Sequence, residues 1–202
     1  MEILFINSCV RGKERSRSKK IADEFLAEIK EINGNANITE VDLMQINPPY
    51  MTYSNFEERE KLIEEKNFTN TIFSLAKQFA AADRIVIAAP FWEYSFPAVL
   101  KAYIENVSVC GITFAYNEAG SVGLCKAKKM MYITTRGGIV CDSQDEWLEN
   151  GARYLKAMCN MYGIKEFDVI DAQGLDILGV NAKEIVNRAI NSAKTKAVEF
   201  LR

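Results

Sequence analysis

Apolar residues fall into two rhythms along this chain, short unbroken runs and longer stretches at helical spacing, and the two take turns. Runs of the first kind lie at 3–7 (ILFIN), 84–90 (RIVIAAP) and 129–135 (KMMYITT). Each is too continuously apolar for a strand with one wet face, so they predict strands covered on both sides, as in a parallel sheet. Two further strands are predicted at 37–43 (NITEVDL), which alternates, and at 166–175 (EFDVIDAQGL). Between them the period changes to that of a helix. Ile21, Phe25, Leu26, Ile29 and Ile32 share one face, as do Val99, Leu100, Tyr103, Ile104 and Val107 behind Pro97, and Ile185, Ala189, Ile190, Ala193 and Phe200 within 182–201. A long helix is expected over 57–82, with Leu62, Phe68, Ile72, Leu75, Ala76 and Phe79 as its later stripe. Another is expected over 144–161, opened by a capping box of Ser143 and Glu146 and closed by Gly163.

Strands alternating with helices require right-handed crossovers and helices on both faces of the sheet. The chain is therefore expected to be one α/β domain over residues 1–202, a doubly wound, flavodoxin-like five-stranded parallel sheet of order 2-1-3-4-5. That order sets the loops after the first, third and fourth strands side by side at the switch point, where open α/β sheets bind ligands. The paired prolines in 46–55 (INPPYMTYSN) imply an extended loop, and 110–129, punctuated by Gly, Asn and Ser, a long loop or short hairpin.

Composition narrows the chemistry. With 25 Lys and Arg against 27 Asp and Glu, the chain has no charge excess to draw it to nucleic acid or to an anionic membrane. No stretch is long and apolar enough to span a bilayer, and the opening MEILFINS does not resemble a secretory signal, so a cytoplasmic protein is expected. Five scattered cysteines without a C-x-x-C pair suit free thiols rather than disulfides or zinc. There is no histidine, which excludes Ser-His-Asp and Cys-His catalysis. An enzyme of this composition uses its other side chains or borrows an organic cofactor.

The three switch-point loops each carry a chemical signature. After the first strand, CVRGKERSRSKK gathers Arg11, Lys13, Arg15, Arg17, Lys19 and Lys20 around Gly12, with Ser8, Ser16 and Ser18 nearby, just before a helix. Free N–H groups, hydroxyls and positive charge at a helix start form a phosphate site. The G-x-G-x-x-G and G-x-x-x-x-G-K-[ST] fingerprints are both missing. A solvated basic loop, with Ser16 or Ser18 as an ordinary N-cap, is the other reading. After the third strand, Phe91, Trp92, Tyr94 and Phe96 stand between Pro90 and Pro97. They offer a surface for a flat conjugated ring, or simply plug a core or subunit contact. After the fourth strand, Thr135, Arg136, Gly137 and Gly138 let backbone approach a ligand closely. A phosphate grip, an aromatic wall and a polar glycine loop at one edge match a ligand phosphorylated at one end and ring-shaped at the other, as flavin mononucleotide (FMN) is.

Together the segments SRS at 16–18, APFWEYSFPAVLKAYI from 89, GITFAY from 111 and TTRGGI from 134 resemble the FMN-dependent NADH-azoreductase and NAD(P)H quinone reductase family, in the same order along nearly the whole chain. The resemblance implies a homodimer holding one noncovalent FMN per subunit at the dimer interface. It also implies ping-pong transfer of two electrons from NADH or NADPH to quinones or azo compounds. By this likeness Ser16, Arg17 and Ser18 bind the phosphate, Ser8 is counted among the cofactor-binding residues, and Pro90, Phe91, Trp92, Glu93 and Tyr94 line the ring. Thr135, Arg136, Gly137 and Gly138 meet its polar edge, and Tyr116 lies on the substrate side. No side chain is needed as nucleophile or metal ligand. The chain departs from its relatives at Glu93, where Asn is common, at Arg17, where Gln is common, and at Cys9, often a second serine. The alternative from another class is a flavodoxin-type electron carrier, against which the near-neutral charge argues, since carriers dock through an acidic face.

Overall fold

A computed structural model of the chain describes residues 1–118 and 120–202 with their side chains, that of Lys13 excepted. In chain order it contains β1 (Glu2–Asn7), α1 (Gly12–Arg15), α2 (Arg17–Ile32), β2 (Asn37–Asp42), α3 (Leu43–Ile46), α4 (Tyr53–Glu64), α5 (Ser74–Ala81) and β3 (Arg84–Ala88). There follow α6 (Ala98–Val107), β4 (Phe114–Asn117), β5 (Gly120–Gly123), β6 (Lys129–Thr135), α7 (Gly151–Tyr162), β7 (Glu166–Ala172) and α8 (Ala182–Leu201).

Five strands pair in parallel in the order β2-β1-β3-β6-β7, the predicted order once the separate β4–β5 hairpin is set aside. The inner strands are buried almost throughout, whereas β2 and β7 at the edges alternate with exposed positions. Continuous apolar runs therefore mark the middle of the sheet, because only there are both faces covered. On one face α2 and α8 pack over Ile3, Phe5, Val86, Met131 and Ile133, with Phe25 and Phe200 edge to face at 5.3 Å. On the other, Phe79, Leu100, Tyr103, Leu155 and Tyr162 cover Leu4, Ile6, Ile85, Ile87 and Tyr132. None of the helices among the described residues is long and apolar enough to cross a membrane.

Two helices differ from expectation. The 57–82 stretch is broken: α4 ends at Glu64, Lys66 turns left-handed at φ 53°, and a 3₁₀ turn (Thr71–Phe73) precedes α5. Local competition for backbone groups supplies the alternative to a continuous helix. Asn70 takes the Ile72 N–H on its side chain, and the Asn67 N–H reaches back to the Leu62 carbonyl. Leu62 and Phe73 then bury together in a satellite cluster with Ala76 and Val109, so the apolar stripe was real but folded back on itself. Likewise no capping box forms at Ser143. Its hydroxyl donates to the Val140 carbonyl and accepts from the Asp145 N–H, Glu146 falls in a 3₁₀ turn, and α7 begins only at Gly151. Glu149 serves that helix instead, both carboxylate oxygens accepting from the Ala152 N–H at the positive end of the helix. Residues 110–129 hold the short hairpin, with Gly123 pressed on the end of α7, where a Cβ would lie 1.9 Å from the Gly163 nitrogen.

Candidate active site

A cleft at the carboxyl end of the sheet is lined by Arg11, Arg15, Ser16, Arg17 and Ser18 from the segment between β1 and the first turn of α2, Pro90, Phe91 and Trp92 from the loop after β3, and Thr135 at the end of β6 with Arg136 and Gly137 after it. Leu175 and Asp176, from a fourth loop after β7, complete it. The parallel order explains the convergence: the three inner strands end at the same edge, each releasing its loop there.

One end of the cleft is built on the start of α2. Ser16 is the N-cap, its hydroxyl accepting from the Lys19 N–H at 3.2 Å, and Arg17 and Ser18 occupy positions whose N–H groups have no intrahelical acceptor. No acidic residue sits in this first turn, and Arg11 and Arg15 border it. An anion is thus favoured by bare N–H groups, by the helix dipole and by guanidinium charge. The structure shows the N-cap, and the cap does not compete with an anion, since a hydroxyl that accepts from the Lys19 N–H still has its own hydrogen to give. Ser18 is buried and shares a 2.8 Å hydrogen bond with the Thr135 hydroxyl, which fixes the loop to β6. Arg17 reaches across the cleft to Asp176 at 2.8 Å.

The aromatic turn forms the next wall of the cleft. Trp92 and Ser95 exchange backbone hydrogen bonds of 3.1 and 2.7 Å around Glu93 and Tyr94, which both adopt positive φ, 47° and 61°. This is the geometry of a tight two-residue hairpin, in which Asn and Gly are at ease and Glu and Tyr are strained. Pro90, Phe91 and Trp92 face the cleft, whereas Glu93 and Tyr94 stand at the exposed tip, outside its lining. The Phe91 N–H donates to the Thr135 carbonyl at 3.0 Å, so aromatic turn and glycine loop are joined directly. In that glycine loop the carbonyls of Gly137 and Gly138 accept from Asp176 and Gly174, while their N–H groups find no acceptor among the described residues. A Cβ on Gly137 would come within 2.6 Å of Asp176 Oδ2, so a larger residue there would have to push the Asp176 carboxylate aside.

Of the residues singled out in the sequence, Ser16, Arg17, Ser18, Pro90, Phe91, Trp92, Thr135, Arg136 and Gly137 meet in this cleft, and Gly138 adjoins it. Ser8 does not: it is fully buried past the end of β1, its N–H donating to the Ala88 carbonyl. Tyr116 lies on the β4–β5 hairpin, 71% exposed and apart from the cleft. Arg136 lines the cleft, yet its guanidinium is held inside by Asp171 and Glu149. Sequence reasoning passed over Leu175 and Asp176; the rule that parallel strands place ligands at their carboxyl ends applies to β7 as much as to the others.

The donor set fits FMN on chemical grounds, with anion-binding N–H groups and arginines at one end, an aromatic wall in the middle, and unclaimed glycine N–H groups for ring oxygens at the other. Burial pushes the thiols of Cys9 and Cys141 up to about 11, which removes both as nucleophiles near the cleft.

Comparison with known proteins agrees. Residues 1–197 match a family model described as a flavodoxin-like fold. An FMN-dependent NADH:quinone oxidoreductase of Clostridium perfringens is 39% identical over 199 residues, covering 98% of this chain and 99% of its own length. One from Clostridium acetobutylicum is 40% identical over 202 residues, with the same coverage. Among solved structures, an FMN-dependent NADH-azoreductase from Bacillus anthracis in complex with FMN superposes with a TM-score of 0.86 at 29% identity, covering 98% of each chain. By its loops, its strand order and these full-length matches, the chain belongs to the flavodoxin-like family that includes the FMN-dependent NADH:quinone oxidoreductases and azoreductases.

Proposed function

We propose that this protein is an FMN-dependent NADH:quinone oxidoreductase that also reduces azo compounds, acting as a homodimer. The observation that carries it is the cleft itself: a bare helix N-terminus among arginines, continuous with an aromatic wall, in a chain 39% identical over nearly its whole length to an enzyme of that name. Bound FMN would supply the two-electron chemistry, accepting hydride from NADH and delivering two electrons, with two protons, to a quinone. The chain's own part is to hold and bias that group. Ser16, Arg17 and Ser18 would grip the phosphate and Pro90, Phe91 and Trp92 would lie along the ring. The N–H groups of Gly137 and Gly138 would face the pyrimidine oxygens, where they favour the negative charge that gathers on reduction. Glu93, Tyr94 and Tyr116, exposed outside the cleft, are assigned to contacts completed by the second subunit and the substrate.

Purified protein should be yellow, and NADH under anaerobic conditions should bleach it without any partner reductase; added quinone should restore the colour, one quinone per flavin. Protein that takes up no FMN would refute the proposal. Bleaching that required a separate reductase would instead mark an electron carrier.

A further inference from the structure

Two buried charged side chains, Arg136 and Glu149, and a third that is partly buried, Asp171, lie directly behind the aromatic turn. Arg136 is 1% exposed at its side chain; its Nε donates to Asp171 Oδ1 at 3.1 Å, and its Nη2 stands 3.7 Å from Glu149 Oε1. Its guanidinium carbon lies 4.3 Å from the centroid of the Phe91 ring, a stacked cation on one of the residues that line the cleft. The backbone is clamped as well, the Arg136 N–H donating to the Ala172 carbonyl and its own carbonyl accepting from Leu175. Both terminal nitrogens of Arg136 and Oδ2 of Asp171 lack a hydrogen-bond partner among the described residues. A cavity of about 550 Å³ borders these same side chains together with Cys141 and Gln173.

Such an arrangement is a poor way to stabilise a fold. Burying charges with incomplete hydrogen bonding costs more than an apolar cluster of equal volume, so a buried ion network is weak evidence for stability. The cost shows on Asp171, whose carboxyl is pushed up by burial in spite of the guanidinium beside it. What the network does possess is position. It joins β7, the residues before α7 and the β6 loop to a single aromatic ring at the cleft, and it brings two carboxylates and one cation to bear on that ring.

We infer that Arg136, with Asp171 and Glu149 as its counter-ions, is a positioning residue for the cofactor ring: it holds Phe91 in place and sets the charge behind it, and so tunes the cofactor's reduction potential. The inference rests on the FMN reading above. With all three groups ionised the cluster carries one net negative charge; replacing either carboxylate by its amide makes it neutral, and replacing the arginine by glutamine makes it doubly negative. Nearby positive potential favours the reduced, more anionic flavin, and negative potential disfavours it.

The test compares wild type with Asp171→Asn, Glu149→Gln and Arg136→Gln as FMN-loaded proteins at pH 8, reading the two-electron midpoint potential and the FMN dissociation constant. Both amide variants should favour reduced over oxidised FMN by roughly tenfold relative to wild type, a rise of about 30 mV for a two-electron couple. Arg136→Gln should shift the potential the opposite way. Should that variant fail to fold, the two amides, placed on different elements, still decide the question. Potentials equal to wild type, with FMN affinity merely weakened alike in both redox states, would show a purely structural cluster and overturn the inference. A wild-type protein that binds no FMN would defeat the cofactor reading itself, a separate outcome.

Discussion

Removing the Ser16 hydroxyl separates the two roles that this one side chain combines. In Ser16→Ala the N-cap bond to the Lys19 N–H is lost, and the usual cost is about 1 kcal/mol of folding stability. For a chain of 202 residues, that corresponds to a fall of roughly 2–4 °C in the melting temperature of the apoprotein. If the hydroxyl also donates to a phosphate oxygen, a hydrogen bond to a charged group disappears, worth about 1.5–3 kcal/mol. FMN affinity should then drop by roughly 10- to 150-fold. Riboflavin, which has the same ring and no phosphate, provides the control. Fluorescence titration of both ligands against both proteins gives the ratio of FMN to riboflavin affinity, from which any general loosening of the loop cancels. That ratio should collapse in Ser16→Ala while riboflavin binding barely changes. If the two ligands weaken by the same factor, or neither weakens while the apoprotein melts earlier, Ser16 is only a helix cap and the phosphate assignment is wrong.

Two further outcomes follow from the strained turn and the buried thiols. Glu93 sits at φ 47°, so Glu93→Asn should raise the urea midpoint, reflecting about 0.5–1 kcal/mol of relieved strain; a lower midpoint would mean that the carboxylate makes a contact worth more than the strain. Burial raises Cys9 to about 11 and Cys125 and Cys159 to about 12. The unfolded thiols lose their protons at lower pH than the folded ones, so unfolding releases protons and stability falls as pH climbs through that interval. Urea unfolding at roughly pH 8 and pH 10 should show the loss, and equal midpoints would contradict the burial of these groups.

The layout of the fold was legible because it rests on local and periodic signals. Buried strands such as β3 and β6 announce themselves as unbroken apolar runs, since a sheet covered on both faces leaves no wet side to alternate with. Proline at 97, just before α6, and glycine at 163, left-handed after α7, mark helix ends by their own backbone chemistry. The motifs at 16–18, 90–92 and 135–137 were visible for the same reason: their residue types are unusual where they stand.

What the sequence alone could not decide were the choices made between alternatives of nearly equal local energy. Whether 57–82 runs as one helix or breaks at Asn67 depends on Phe68 and Phe73 finding a place beside Val109 and Ile112, distant in the chain. Whether Ser143 or a later residue caps α7 depends on where Glu149 can settle beside Arg136. Where Ser8 and Tyr116 lie was likewise decided by tertiary packing, the one buried past the end of β1 and the other exposed on the hairpin, both outside the cleft lining. By the family likeness Arg136 reads as a contact to the ring's polar edge; its partners Asp171 and Glu149 lie 35 and 13 positions away, and neither is marked by any pattern in its own segment. Periodicity reports how much of a segment is covered by something apolar, so it fixes strands, helices and their order. It carries no record of which side chain covers it, and that pairing, made only when the sheet closes, decides which residues reach the cleft.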